Sequence, residues 1–294
     1  MTGPTLAQPL VSTQWLADYL GSDNLVLLDA TVVPFASPAG KPGFLSGHEQ
    51  FLVEGHIPSA LFADLIEEFS DPEVRLPFAH TSATAFEAAA GALGIDNETT
   101  VIVYDTSAGQ WATRLWWLFR TFGYDRVAVL DGGYKKWLAE GRDIETGHRE
   151  PTPATFVANE RPELWVTKDQ VRDIADEIKA GTFDGALVCA LPGKEFSGEE
   201  GFRARRGHIP GSSNVPAAEL SDRETNALRS EADLRAAFGS ALDADRIVLY
   251  CAAGILATKD ALALTLLGAK NVTVYDNSLT EWSADESLPI ATLV

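Results

Sequence analysis

The sequence predicts an α/β protein built as two tandem domains, each an open, mainly parallel sheet flanked by helices. Three observations carry that prediction. Short apolar runs alternate with stretches whose apolar residues recur at three and four positions, the pattern of strands separated by amphipathic helices. Four sequence blocks recur in one order in the two halves, about 150 residues apart. The length of 294 residues exceeds one typical domain and suits two of roughly 145 each.

The blocks fix the elements in order. In the first half they are the run Leu25 to Thr31, then Gly55-His56-Ile57-Pro58, then Val101 to Asp105, then Val127 to Trp137. The second half answers with Ala186 to Leu191, Gly207-His208-Ile209-Pro210, Ile247 to Cys251, and Val272 to Trp282. Helical periodicity falls between them, over Ala85 to Leu93, Ala112 to Phe122, Lys168 to Ala180 and Ala257 to Leu267. The segment Arg142 to Trp165 carries Glu150-Pro151-Thr152-Pro153 and no core pattern, so it reads as the linker. Domains are expected over residues 1–148 and 160–294. Each Gly-His-Ile-Pro block reads as a turn into the next strand, Pro fixing φ and Gly allowing close backbone approach. A histidine repeated in both halves is better explained by structure than by catalysis, and Trp137 and Trp282 read as core anchors.

Composition narrows the function classes. Hydrophobic residues make up 46% and charged residues 22%, the balance of a globular rather than a disordered chain. A net charge of -19 repels nucleic acid and anionic membranes, so neither is an expected partner. No apolar run approaches the ~20 residues of a membrane span and no signal-peptide pattern opens the chain, which leads us to expect a cytoplasmic protein. Two cysteines and five scattered histidines argue against a disulfide scaffold and against a metal site.

Ligands of open α/β sheets bind outside the carboxyl ends of the strands, and Asp105 and Cys251 occupy that edge in their halves. Cys251 follows the buried-strand run Ile247 to Tyr250 and opens the small-residue turn Ala252-Ala253-Gly254 before a helical stretch. Backbone N–H groups and the positive end of that helix converge there, an environment that favours a nucleophilic thiolate. The competing reading is a small apolar side chain filling space.

These blocks, with Arg114 to Gly123 and Leu130 to Trp137, resemble the tandem-domain rhodanese family of thiosulfate and mercaptopyruvate sulfurtransferases over nearly the whole chain. The resemblance implies two rhodanese-like domains, the second catalytic with Cys251 and the first non-catalytic with Asp105 at the nucleophile position. Cys251 would take the outer sulfur of a small donor as a persulfide and pass it to a thiol or cyanide. The backbone amides of Ala252, Ala253, Gly254, Ile255 and Leu256 would form its cradle, with no metal or organic cofactor. By the same analogy Ser278 and Glu281 border the cleft, although turn and helix capping explain them equally well.

The sequence departs from the family pattern around this loop. Ala252 and Ala253 supply neither the basic residues nor the hydroxyl that mark particular donors, and Leu256 replaces a threonine. Where the family carries Asp-x-Arg after a strand, this chain has Cys189-Ala190-Leu191, which removes a bidentate anion clamp and implies slow turnover of ordinary donors. Arg203, Arg205 and Arg206 either restore that charge from a neighbouring loop or form a solvated basic patch. The family's sheet order also sets Cys189 beside Cys251, so Cys189 is either a resolving thiol or a buried replacement for aspartate. A phosphatase reading fails because position six after Cys251 is Ala257, not arginine. The remaining alternative is a catalytically impaired rhodanese-like binding or redox protein that uses Cys189 and Cys251.

Overall fold

The computed structural model describes residues 4–36 and 42–294. The chain divides into two compact units, one of Met1–Glu73, His80–Arg161 and Asp222–Leu228, the other of Val74–Ala79, Pro162–Ser221 and Arg229–Val294. In the first unit the elements are β1 (Leu10–Val11), α1 (Thr13–Tyr19), β2 (Leu25–Asp29), β3 (Val32–Ala36), β4 (Pro42–Ser46), α2 (His48–Glu54), β5 (Leu61–Phe62), α3 (Ala83–Ala92), β6 (Thr100–Tyr104), α4 (Gln110–Thr121), β7 (Val127–Leu130) and α5 (Gly133–Ala139). The second contains β8 (Trp165–Val166), α6 (Lys168–Ala180), β9 (Ala186–Cys189), α7 (Gly193–Ser197), β10 (Ser213–Asn214), α8 (Glu231–Phe238), β11 (Ile247–Tyr250), α9 (Leu256–Leu266), β12 (Val272–Tyr275) and α10 (Ser278–Trp282).

The two sheets share one topology. Strand order is β1-β7-β6-β2-β5 in the first and β8-β12-β11-β9-β10 in the second, parallel throughout. The antiparallel pair β3–β4 belongs to the first unit alone, inserted between β2 and α2. Continuous apolar runs explain the central strands, since a parallel strand covered by helices on both faces is buried at every position, as β6 and β11 are. Register then sets the functional edge: Tyr104 pairs with Asp29 and Tyr250 with Cys189, so Asp105 and Cys251 are the first residues beyond equivalent strand ends.

Local chemistry starts and stops the helices. Ser12, Ser82 and Ser230 accept the N–H groups of Trp15, Ala85 and Asp233, and Thr167 with Gln170 forms a reciprocal capping box on α6. Gly181, at φ +71°, ends α6 in the left-handed conformation that glycine adopts without a Cβ clash. The observed α6 has the expected bounds, and α3, α4 and α9 begin one or two residues earlier than the periodicity suggested.

The Gly-His-Ile-Pro blocks are structural in both units. His56 stacks on Phe51 at 3.8 Å and its Nδ1 bonds the Phe51 carbonyl at 3.0 Å. His208 stacks on Phe196 at 3.8 Å and its Nδ1 bonds the Phe196 carbonyl at 2.8 Å. The next amides, of Ile57 and Ile209, donate to the hydroxyls of Tyr104 and Tyr250. Trp137 and Trp282 are buried, their indole N–H groups donating to the carbonyls of Asp143 and Pro289 at 2.8 Å each.

The expected linker packs on the first unit instead of hanging free. Amides of Ala154, Asn159 and Arg161 donate to the carbonyls of Gly91, Phe122 and Thr121. Phe156 is buried against Phe86, Phe119 and Tyr124. The division between the units falls after Arg161, and Asp222–Leu228 groups with the first. Among the described residues no helix is long and apolar enough to cross a membrane.

Candidate active site

At the end of β11 the backbone turns sharply through Ala252, Ala253 and Gly254 before α9 begins. Gly254 stands at φ +69°, a conformation that favours glycine. Helix α9 has no side-chain cap at its start, and the first N–H groups of any helix lack intrahelical acceptors. Among the described residues, no carbonyl or side chain accepts from the amides of Ala252, Ala253, Ile255 or Leu256. Four donors and the positive helix end therefore lie within five residues of a thiol. Cys251 is itself buried, and Ala252, Ala253 and Leu256 around it are half-buried.

A strap from the end of β12 pins this loop. The Ser278 hydroxyl accepts the N–H of Cys251 at 3.0 Å and of Gly254 at 3.2 Å, and donates to the Tyr275 carbonyl at 2.7 Å. Leu279 N–H donates to the Cys251 carbonyl at 3.1 Å. Thr280 gives the Ala252 carbonyl both its N–H, at 2.9 Å, and its hydroxyl, at 2.7 Å. Glu281 accepts the Tyr275 hydroxyl at 2.7 Å, and burial together with that carboxylate pushes the phenol far above its usual range.

The other residues singled out from sequence lie in different settings. Cys189 is fully buried; burial pushes its thiol up to about 12, against hydrogen bonds from the Leu191 amide and the Tyr250 hydroxyl. Its register partner is Tyr250, and side chains alternate faces along a strand, so continued alternation turns Cys251 away from it. Diagonal neighbours across a sheet have Cα atoms within disulfide range, at roughly 6 Å, but their Cβ vectors point apart. Both thiols are free. Leu191 is buried, and its carbonyl is held by the Asn214 amide at 2.8 Å.

The three arginines are engaged within their own unit. Arg203 pairs with Glu195 at 3.2 Å, Arg205 donates to the carbonyls of Asp285 and Leu288, and Arg206 to that of Glu199 at 3.3 Å. An incoming anion would have to displace Glu195 to engage Arg203.

The first unit carries an equivalent loop between β6 and α4 with a different occupant. Asp105 replaces the thiol, and its carboxylate accepts from Gly109 at 3.0 Å and from Trp111 and Ala112 at 2.9 Å each. Asp29 stands where the second unit has Cys189, bonded by the amide and hydroxyl of Thr31. Burial raises the Asp29 carboxyl to about 6 in spite of those donors, and the nearby Asp105 adds to the rise.

A rhodanese-like domain model matches residues 12–140 and 175–285. The chain belongs to the rhodanese-like family. A 3-mercaptopyruvate sulfurtransferase of Escherichia coli O157:H7 is 34% identical over 96% of this chain and 98% of that protein. A thiosulfate sulfurtransferase of Bos taurus is 34% identical over 96% of this chain and 94% of its own. SseA from Escherichia coli, solved in work on the fold and mechanism of 3-mercaptopyruvate sulfotransferases, gives a TM-score of 0.79 at 32% identity, covering 92% of this chain and 98% of that one.

Several residues of the second rhodanese-like domain escaped the sequence reading. Tyr250 joins the Cys189 thiol, the Ile209 amide and the Ser212 hydroxyl, and its signal was the tyrosine repeated at Tyr104. Thr280 had no such signal. Asp260, in the second turn of α9, is fully buried, and among the described residues neither carboxyl oxygen has a hydrogen-bond partner; burial drives its pKa far upward, against the pull of Lys259. Among the described residues, no group of His, Cys, Asp and Glu side chains gathers to hold a metal ion.

Proposed function

We propose that the second rhodanese-like domain is a sulfurtransferase that carries sulfane sulfur on Cys251. The Cys251 thiolate attacks the outer sulfur of thiosulfate or a related donor. In thiosulfate the sulfur–sulfur bond breaks and its electron pair leaves with sulfite; in 3-mercaptopyruvate the carbon–sulfur bond breaks, its electron pair stays on the carbon as an enolate, and a proton completes pyruvate; in both cases Cys251 becomes a persulfide. A thiolate or cyanide then attacks the terminal sulfur and returns Cys251 as thiolate, so no external oxidant or reductant is consumed. The observation that carries this reading is the set of four unengaged amides, of Ala252, Ala253, Ile255 and Leu256, beside Cys251. They can hold the negative charge of thiolate and persulfide in turn. Of the five amides expected in the cradle, that of Gly254 is directed to Ser278 instead.

With Leu191 at the place of an arginine and Arg203 paired with Glu195, anionic donors are bound weakly and turn over slowly. Cys189 has no step in this cycle: its protonated thiol is a poor nucleophile, and register directs it to Tyr250. The similarity to two named sulfurtransferases supports the reaction class. A cytoplasmic location suits the free thiols.

The test is thiocyanate formation from thiosulfate and cyanide, with 3-mercaptopyruvate as second donor. We expect parallel-line, ping-pong kinetics in the wild type and no turnover above background in Cys251→Ser. Equal rates in the two proteins would refute transfer through Cys251 and favour the binding or redox alternative.

A further inference from the structure

Ser278 is the least conventional residue around the loop. It is fully buried, and its backbone φ of +49° lies in the left-handed region that β-carbon-bearing residues avoid. Strain of this kind persists where surrounding structure over-determines it. The surroundings here are the three hydrogen bonds of its hydroxyl. A serine hydroxyl has one proton and two lone pairs, and the contacts to Tyr275, Cys251 and Gly254 use all of them. Nothing remains with which Ser278 could address a donor molecule.

The first unit shows what this arrangement replaces. Its equivalent residue is Gly133, at φ +55°, and the N–H after it, of Tyr134, donates to the Asp105 carbonyl at 3.1 Å, as Leu279 does to Cys251 at 3.1 Å. A Cβ at Gly133 would lie 2.7 Å from the Asp105 carbonyl oxygen, so no side chain fits there without movement. With no hydroxyl available, Gly109, the fourth residue after Asp105 and one place later than Gly254 stands after Cys251, turns its amide to the carboxylate of Asp105 itself. In the second unit the loop glycine, Gly254, turns its amide to Ser278.

We infer that Ser278 is a positioning residue for Cys251: its hydroxyl takes over the internal acceptor role that Asp105 fills in the first unit, which leaves side-chain position 251 available for a nucleophile. Anchoring the amides of Cys251 and Gly254 downward fixes the turn between them. It thereby directs the remaining loop amides toward the sulfur. The proton of Ser278 stays on the Tyr275 carbonyl throughout.

The experiment uses the full chain with Ser278→Gly and, separately, Ser278→Ala. Glycine suits the left-handed backbone and stands at that place in the first unit, so folding is preserved; alanine retains the β-carbon and removes only the hydroxyl. The readout is the rate of Cys251 alkylation by iodoacetamide from pH 5 to 10, followed on the labelled peptide, beside kcat, KM and the melting temperature. We expect both variants to lose about tenfold in alkylation rate at neutral pH. In Ser278→Gly, kcat falls about tenfold with KM little changed, and the melting temperature falls less than in Ser278→Ala, since glycine relieves the left-handed strain while both variants lose the hydrogen bonds of the hydroxyl. A Ser278→Gly protein with wild-type melting, wild-type alkylation profile and wild-type kcat would overturn the inference. The kcat arm rests on the transfer reaction proposed above. The alkylation arm needs no donor, so a protein that accepts no sulfur would refute that reaction and still decide this role.

Discussion

Tyr104 and Tyr250 end equivalent strands, and the residue after each meets its loop in opposite ways. In the first unit the loop amides close on a resident carboxylate, with Gly109, Trp111 and Ala112 all donating to Asp105. In the second unit a neutral hydroxyl from the start of α10 holds two of the loop's amides, and among the described residues nothing engages four others beside Cys251. Equivalent strand-to-helix loops are thus internally satisfied in one copy and left with unengaged donors in the other. The difference teaches that such a loop is closed when its own first residue supplies an acceptor for the loop amides.

The strongest way to break the comparison is to empty the first cradle. Asp105→Ala leaves three amides without this acceptor, two of them buried, and we expect the first unit to lose about 4 kcal/mol of stability, measured by urea unfolding. The corresponding change at Cys251, to Ala, should cost less than half as much, because among the described residues the amides of Ala252, Ala253, Ile255 and Leu256 have no hydrogen bond to lose. Similar losses in the two units would erase the distinction.

A somewhat smaller effect concerns the residues one strand over, Asp29 and Cys189. The folded-state pKa of Asp29, about 6, lies above its ordinary 3.8, so between those values the folded unit binds the proton that the unfolded chain has released. Stability is therefore greatest below pH 4 and declines as pH rises to about 6, by about 3 kcal/mol in all at 1.36 kcal/mol per unit. Unfolding measured from pH 4 to 7 should show that decline, and Asp29→Asn should abolish it. Cys189 stays protonated across the same range and gives the second unit no such slope.

Charge at the second cradle offers a further sharpening. Leu191→Arg introduces a guanidinium at the carboxyl edge of β9 and should raise kcat/KM for thiosulfate about tenfold, with little effect on a neutral donor. No change for thiosulfate would place the anion elsewhere. The smallest expected effect belongs to Cys189→Ser, which should leave sulfur loading within about twofold and give no disulfide-dependent mass change on mild oxidation.

Much of this was legible before any coordinates. Apolar runs marked β2, β6, β9 and β11, and their repetition aligned Asp105 with Cys251 because strand ends in parallel sheets fall at the same edge. The capping box made α6 readable to the residue, its signal being local. What escaped depended on partners distant in sequence or on backbone groups. The engagement of Arg205 requires carbonyls at Asp285 and Leu288, eighty or more residues on. The segment after Arg149 lacks apolar periodicity because backbone hydrogen bonds and the single Phe156 hold it down. Ser278 was visible as a residue near the site, but its left-handed φ and its three-way hydroxyl carry no sequence signature.

The most direct measurement of the central claim is intact mass spectrometry of the wild type, Cys251→Ser and Asp105→Cys after incubation with thiosulfate and, separately, 3-mercaptopyruvate. The account predicts one added sulfur in the wild type, on the peptide that contains Cys251, and none in Cys251→Ser. In Asp105→Cys it predicts no second sulfur, since Gly133 cannot supply the hydroxyl that Ser278 does. Sulfur retained by Cys251→Ser, or none taken up by the wild type from either donor, would contradict it.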